Sequence, residues 1–264
     1  MRLPSYFISH GGGPWPWIDT MAANHQPLAD SLSAMPGELP HAPQAVLMVS
    51  AHWESADAYQ VMSHARPAML YDYYNFPAHT YEVDYPAPGA PQLAQQTLQL
   101  IRDAGLPVAE DSQRGFDHGC FVPMSLMYPA ADMPLYQLSI RSHYDVGEHI
   151  ALGQALAPLR DQGVLIVASG LSYHNLRRFG GDGREPSQQF DQWLYQTLQL
   201  SGEQRLQALQ HWQQAPAARI CHPREDHLVP LFVAAGAAQQ ENVERVYHQQ
   251  NLMGAITASS FRFG

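Results

Sequence analysis

Four short runs constrain this chain most: Ser5 to Ser9, Ala45 to Val49, Leu135 to Ile140 and Val164 to Ala168. Each is nearly continuous in apolar character rather than alternating, and each is too short for a helix of ordinary length. That pattern suits strands covered on both faces. Amphipathic helical segments lie between and after them. Gln92 to Ala104 aligns Ala94, Leu98 and Ile101 and stops at Gly105. Asp145 and Glu148 make a capping-box pattern ahead of Leu152, Leu156 and Leu159, with Gly163 at the end. Gln188 to Leu200 puts Phe190, Trp193, Leu194 and Leu198 on one side, and Glu203 to Trp212 is a shorter helix. A last helix is expected from about Arg224 to Ala238, with Pro230 near its first turns. Glu244 to His248 and Ile256 to Phe263 read as strands. This alternation predicts an α/β fold: one domain over residues 1–264, with a mostly parallel central sheet flanked by helices. The stretch from about Met62 to Pro91, rich in Tyr and Pro, shows no clear element. A loop that long commonly forms a lid or pocket wall.

The bulk numbers narrow the partners. A net charge of -10, from 14 basic and 24 acidic residues, leaves no basic block for a nucleic-acid backbone. No apolar run approaches the roughly 18 residues of a membrane helix. The opening residues MRLPSYFISHGGG lack a signal-peptide core, so the cytoplasm is the expected compartment. Cys120 and Cys221 form neither a disulfide framework nor a cysteine zinc site. There are 14 histidines, as many as the basic residues together. Histidine is the commonest metal ligand and the usual acid/base near neutral pH.

Position separates these histidines. The first strand run leads into His10, followed by Gly11-Gly12-Gly13-Pro14. The second leads into His52, in Ser50-Ala51-His52-Trp53-Glu54. The fourth reaches His174, followed by Asn175-Leu176-Arg177. Open α/β sheets bind ligands in the crevice beyond the carboxyl ends of their strands. Three strands therefore aim a histidine at one edge, where the active site is expected. His118 lies in a glycine-flanked loop, Arg114-Gly115-Phe116-Asp117-His118-Gly119. His227 is expected in the first turn of the last helix, with Glu225 and Asp226 as neighbouring carboxylates. Histidines 25, 41, 64, 79, 143, 149, 211, 222 and 248 lack such context and read as surface or minor core residues. Histidine ligands without cysteine favour Zn or non-haem Fe. Tyr73, Tyr74, Phe76 and Trp53 are candidates for an aromatic pocket wall, and Glu54 for orienting a ligand.

In order along the chain, HGGGP, SAHWE, DYPAPG (residues 84–89), GFDHG, ASGLSYHNLR and the DH ahead of LVPL resemble the class III extradiol ring-cleavage dioxygenases, in their 4,5-DOPA dioxygenase branch. The resemblance covers nearly the whole chain. It implies one metal per chain, Fe(II) or Zn(II), and a small aromatic diol with O2 as substrates. It matches His10, His52 and His227 to the metal ligands. Glu225 is an alternative ligand, because more distant relatives use a glutamate there. His174 matches the acid/base histidine, which can also count as a fourth ligand, and His118 matches a second pocket histidine. The chain departs from the common pattern at Gly11-Gly12-Gly13 and at Asp84, where relatives often have HGSP and a histidine. A histidine-bound zinc hydrolase with His174 as base is the rival enzyme. A non-catalytic binding protein is a further alternative, and the oligomeric state is open.

Overall fold

The computed structural model describes residues 1–264. Its strands are β1 (Ser5–Ser9), β2 (Ala45–Ser55), β3 (Tyr59–Met62), β4 (Val108–Asp111), β5 (Leu135–Arg141), β6 (Val164–Gly170), β7 (Val243–Leu252) and β8 (Ile256–Phe263). Its helices are α1 (Asp19–Asn24), α2 (Gln26–Ala34), α3 (Pro91–Asp103), α4 (His118–Met127), α5 (Val146–Asp161), α6 (Arg184–Leu198), α7 (Gly202–Gln210), α8 (Ala218–Cys221) and α9 (Val229–Ala237). The strands form one sheet in the order β4-β3-β5-β2-β6-β1-β8-β7. β5, β2, β6 and β1 run parallel at its centre. Those four are the continuous apolar runs of the sequence, and every residue of β1, β5 and β6 is buried; the two strands expected near the C-terminus are β7 and β8. The sheet is closed on one side by β8 and β7, which pair antiparallel.

Side-chain parity shows how the helices cover it. Ser169 donates from its hydroxyl to the Gly119 carbonyl of α4, whereas the next residue, Gly170, lies against the His227 backbone just ahead of α9. Successive strand residues point to opposite faces, so α4 and α9 cover opposite faces of the sheet.

Four elements depart from expectation. β3 and β4 have only four residues each and mixed polarity, too little for a periodic signal. α4 starts at His118, expected in a glycine-flanked loop, and continues over residues for which no element is expected. Eight of its ten residues are buried, Pro123 sits inside it, and a helix apolar all round shows no amphipathic period. The last helix begins at Val229 rather than near Arg224, with Pro230 in its first turn as expected. Between β3 and α3 the chain makes one short 3-10 turn, Ala78–Tyr81, and a single bridge from Met69 to Phe116.

Buried His149 ties α5 to β5. Its Nδ1 donates to the Asp145 carbonyl (2.6 Å), and its Nε2 accepts from the Arg141 backbone N–H (3.1 Å). Burial pushes its pKa down to about 4. The unfolded chain, with an ordinary histidine near 6.5, therefore takes up a proton first as pH falls. The ring's contribution is intact above pH 6.5 and is lost between 6.5 and about 4. Denaturant titrations should show His149→Gln less stable than wild type at pH 7. Its pH slope below 6.5 should be shallower by up to about 1.4 kcal/mol per pH unit. Equal slopes would remove His149 as a source of acid sensitivity.

Candidate metal centre

His10 follows β1 directly. Gly11 after it has φ +79°, and a Cβ there would lie 2.3 Å from the Trp15 indole nitrogen. Only glycine makes this turn, which lets Trp15 Nε1–H donate to the His10 carbonyl at 2.8 Å. His52 is not beyond its strand but inside β2. Pairing with β5 holds to Val49 and resumes at Glu54, and the irregularity between them carries His52 out of regular register. Arg114, anchored on Asp117 (2.9 Å), donates to the His52 carbonyl at 3.1 Å. His227 precedes α9 rather than lying in its first turn. Its carbonyl accepts from Leu171 N–H (3.0 Å), and a Cβ on Gly170 would come within 2.2 Å of that oxygen.

The side chains meet with a common polarity. His52 Nε2 lies 3.2 Å from His10 Nε2 and 3.2 Å from His227 Nε2. Each Nδ1 faces an acceptor. Ser169, already donating to Gly119, accepts from His10 Nδ1 at 2.9 Å. Asp72 Oδ2 faces His52 Nδ1 at 3.3 Å, and Asp226 Oδ2 accepts from His227 Nδ1 at 2.8 Å. A proton held on Nδ1 leaves a lone pair on Nε2, so three lone pairs converge. Ligands at the usual Zn–N distance would stand about 3.0–3.4 Å apart, the separation that His52 keeps from both His10 and His227.

Burial, then the neighbouring histidines, push the pKa values of His10 and His52 well below the ordinary histidine value. The same causes bring His227 down to about 4. Neutral imidazole is the form that binds metal. Burial alone would raise the Asp226 carboxyl, but the His174 and His227 rings outweigh it and hold it well below the usual carboxylate range. At Asp72, hydrogen bonds from His118 likewise overcome burial.

Two more histidines flank the trio. His118 is the first residue of α4, not a loop residue. Its Nδ1 donates to Asp72 Oδ1 at 2.8 Å, and one of its ring nitrogens groups with those of His10 and His52 within 4.8 Å. His174 stacks on His227 with ring centroids 3.3 Å apart, its Nδ1 3.8 Å from Asp226 Oδ2. All five histidines open on a cavity of about 500 Å³, whose wall includes Tyr73, Tyr74, Phe76, Leu176 and Phe179.

Other candidates fall elsewhere. Glu225 is held by both terminal guanidinium nitrogens of Arg219 (2.7 and 3.1 Å) and is not part of the cavity wall. Glu54 binds Tyr144 and Arg224 rather than orienting a ligand, and Trp53 lies under the Arg114 guanidinium, outside the cavity wall. His79 bonds the Trp17 carbonyl and His143 faces Glu148, so neither joins the cluster. Three contributors escaped the sequence reading. Asp72 sits in a stretch without periodicity, Ser169 reads as ordinary strand, and His25, set aside as surface or minor core, lines the cavity.

The chain matches, over residues 4–262, the family model described as the catalytic LigB subunit of aromatic ring-opening dioxygenase. It is 38% identical over 264 residues to the 4,5-DOPA dioxygenase extradiol of Beta vulgaris, covering 98% of this chain and 96% of that one. It is 32% identical to the protein of the same name from Escherichia coli K12, covering 100% and 95%. A crystal structure of an uncharacterized Escherichia coli K12 protein superimposes with a TM-score of 0.80 at 31% identity, covering all of both chains.

Metal titration of variants tests the geometry. His10→Ala, His52→Ala and His227→Ala should each lose bound metal, whereas Glu225→Gln should retain it. Gly170→Ala, which forces the His227 backbone off β6, should weaken metal affinity about 10–100-fold, as loss of ligand support does. Wild-type affinity in Gly170→Ala would show that this close approach does not place His227.

Proposed function

Because the chain belongs to the family of catalytic LigB subunits of aromatic ring-opening dioxygenases, it is an extradiol ring-cleaving dioxygenase, and we propose that it opens a DOPA-like catechol with His10, His52 and His227 as its metal ligands. The observation that carries this reading is the convergence of three Nε2 lone pairs on the wall of an aromatic-lined cavity. A volume of about 500 Å³ suits one substituted ring. The names of the relatives support a DOPA-like substrate. Ring opening by O2 needs a metal able to exchange electrons, which Zn(II) is not, so Fe(II) is the working metal. When bound, the metal acidifies the catechol hydroxyls and makes O2 reactive.

The chain's own residues do the rest. His174, stacked on His227 and open to the cavity, takes a proton from a catechol hydroxyl at its Nε2. Asp226 faces both rings and steadies the added charge. On the other side His118, with Nδ1–H held by Asp72, takes up a proton at Nε2 and donates it to the developing negative charge on oxygen. Phe76, Tyr73 and Phe179 flank the ring and exclude water. Carrying His52 and His118 on one carboxylate keeps a ligand and a proton-handling group in fixed register. No helix is long and apolar enough to cross a membrane.

Protein loaded anaerobically with Fe(II) should consume O2 when given a catechol and release a yellow semialdehyde-type product. The Zn(II)-loaded protein should not. No oxygen uptake by the Fe(II) form across a panel of catechols would sink the proposal. His174→Phe, which keeps the stack on His227, should retain metal and lower kcat about 10²–10⁴-fold.

A further inference from the structure

The cavity is larger than one ring needs, and its wall changes character from floor to mouth. An apolar cavity of roughly 150 Å³ already takes a benzene ring. A volume of about 500 Å³ therefore leaves most of the space to whatever the catechol carries. Buried His10, His118 and His227 mark the floor. At the mouth the wall is made by Tyr74, Leu176 and Met253, which are 79%, 72% and 42% exposed. The molecule exposes six large hydrophobic side chains, and these three of them meet on one rim. Scattered exposed apolar residues are ordinary, whereas a cluster continuous with a cavity marks a binding surface.

The three come from separate parts of the chain. Tyr74 lies between β3 and α3, Leu176 opens a 3-10 turn after β6, and Met253 sits in the turn between β7 and β8. Half-buried Phe76 and Phe179 extend the same apolar wall. Met253 has φ +51°, a left-handed conformation that glycine or asparagine adopts at less cost, yet the position carries a long apolar side chain. Charge points the same way. Apart from histidines, Asp72 is the one charged side chain of the wall, and it already serves His52 and His118. No arginine lines the cavity, and the chain has no lysine. A free carboxylate at the end of the catechol's side chain would meet no counter-charge there, and it would exchange water for an apolar rim at a cost that an uncharged group avoids.

We propose that Tyr74, Leu176 and Met253 form an outer subsite for an apolar group at the far end of the catechol's side chain, so that the enzyme prefers catechols whose carboxyl is masked as an apolar ester or amide over the free acid. The inference rests on the ring-cleavage reading, which seats the diol at the His10, His52 and His227 end, and goes beyond it in naming what the side chain ends in. The subsite is remote from the reacting atoms, so it acts on affinity and KM rather than on kcat.

The test compares the methyl and benzyl esters of DOPA, which share ring, amine and ester and differ by one phenyl group. Affinity is measured by calorimetry on the Zn(II)-loaded protein, and KM and kcat on the Fe(II)-loaded protein. Wild type should bind the benzyl ester about tenfold more tightly, the lower end of the gain from burying a phenyl group, with similar kcat for both. Free DOPA should bind more weakly than its methyl ester. The double variant Leu176→Ser, Met253→Asn should lose most of the benzyl preference, and Leu176→Met should keep it. Both sites are exposed and asparagine suits the left-handed turn, and metal content equal to wild type shows that the centre is retained. Equal affinity for the two esters in wild type overturns the subsite. So does a double variant that keeps the preference or weakens both esters alike, and free DOPA binding as tightly as its methyl ester overturns the selection against charge. Oxygen uptake with the methyl ester reports on ring cleavage separately. Uptake without a benzyl preference leaves that reading standing, and a preference without uptake of O2 on either ester sinks it while leaving the apolar site.

Discussion

The centre depends on where five protons sit. Each of the five histidines of the centre turns Nδ1 toward an acceptor: Ser169 for His10, Asp72 for His52 and His118, and Asp226 for His227 and His174. If any of the three held its proton on Nε2 instead, that N–H would be given to a neighbouring Nε2 at 3.2 Å and the ring would offer no lone pair to a metal. Burial keeps those rings neutral, and the acceptors choose the tautomer, so three lone pairs can lie this close before a metal joins them.

The acceptors are themselves held by the sheet and its two covers. Ser169 can accept from His10 because its own hydrogen is spent on the Gly119 carbonyl of α4. Ser50 donates to buried Asp117 at 2.7 Å, and Asp117 also receives Gln137 (2.7 Å) and Arg114, which in turn holds the His52 carbonyl. On the other face, Gly170 lets the His227 turn rest against β6, so the start of α9 and the end of the strand move as one piece. Two helices that never share a face thus define one centre through a single strand edge.

The cavity divides its work along its length. At one end neutral histidines and two carboxylates handle metal and protons. At the other the wall is apolar, and buried His25 is joined to the metal end through Trp15. Sequence context gives no hint of this link. His25, Trp15 and His10 are separated along the chain and meet only because the glycine turn folds the Trp15 indole back under the His10 carbonyl.

Local chemistry determined much of this protein before any folding is considered. The four central strands are readable because fully buried strands need unbroken apolar runs, and His10, His52 and His174 because they follow those runs at one sheet edge. The motifs likewise pointed to the family, to His118 and to His227. Only the tertiary structure decided how the centre is completed. Asp72 lies in a stretch with no period. Between adjacent carboxylates, Asp226 serves two histidines and Glu225 is drawn off by Arg219. His25, readable from sequence only as surface or minor core, is buried in the cavity wall against Trp15. A sequence records periodicity and residue type, whereas the direction of a side chain and the partner of each ring nitrogen depend on elements that are distant in the chain.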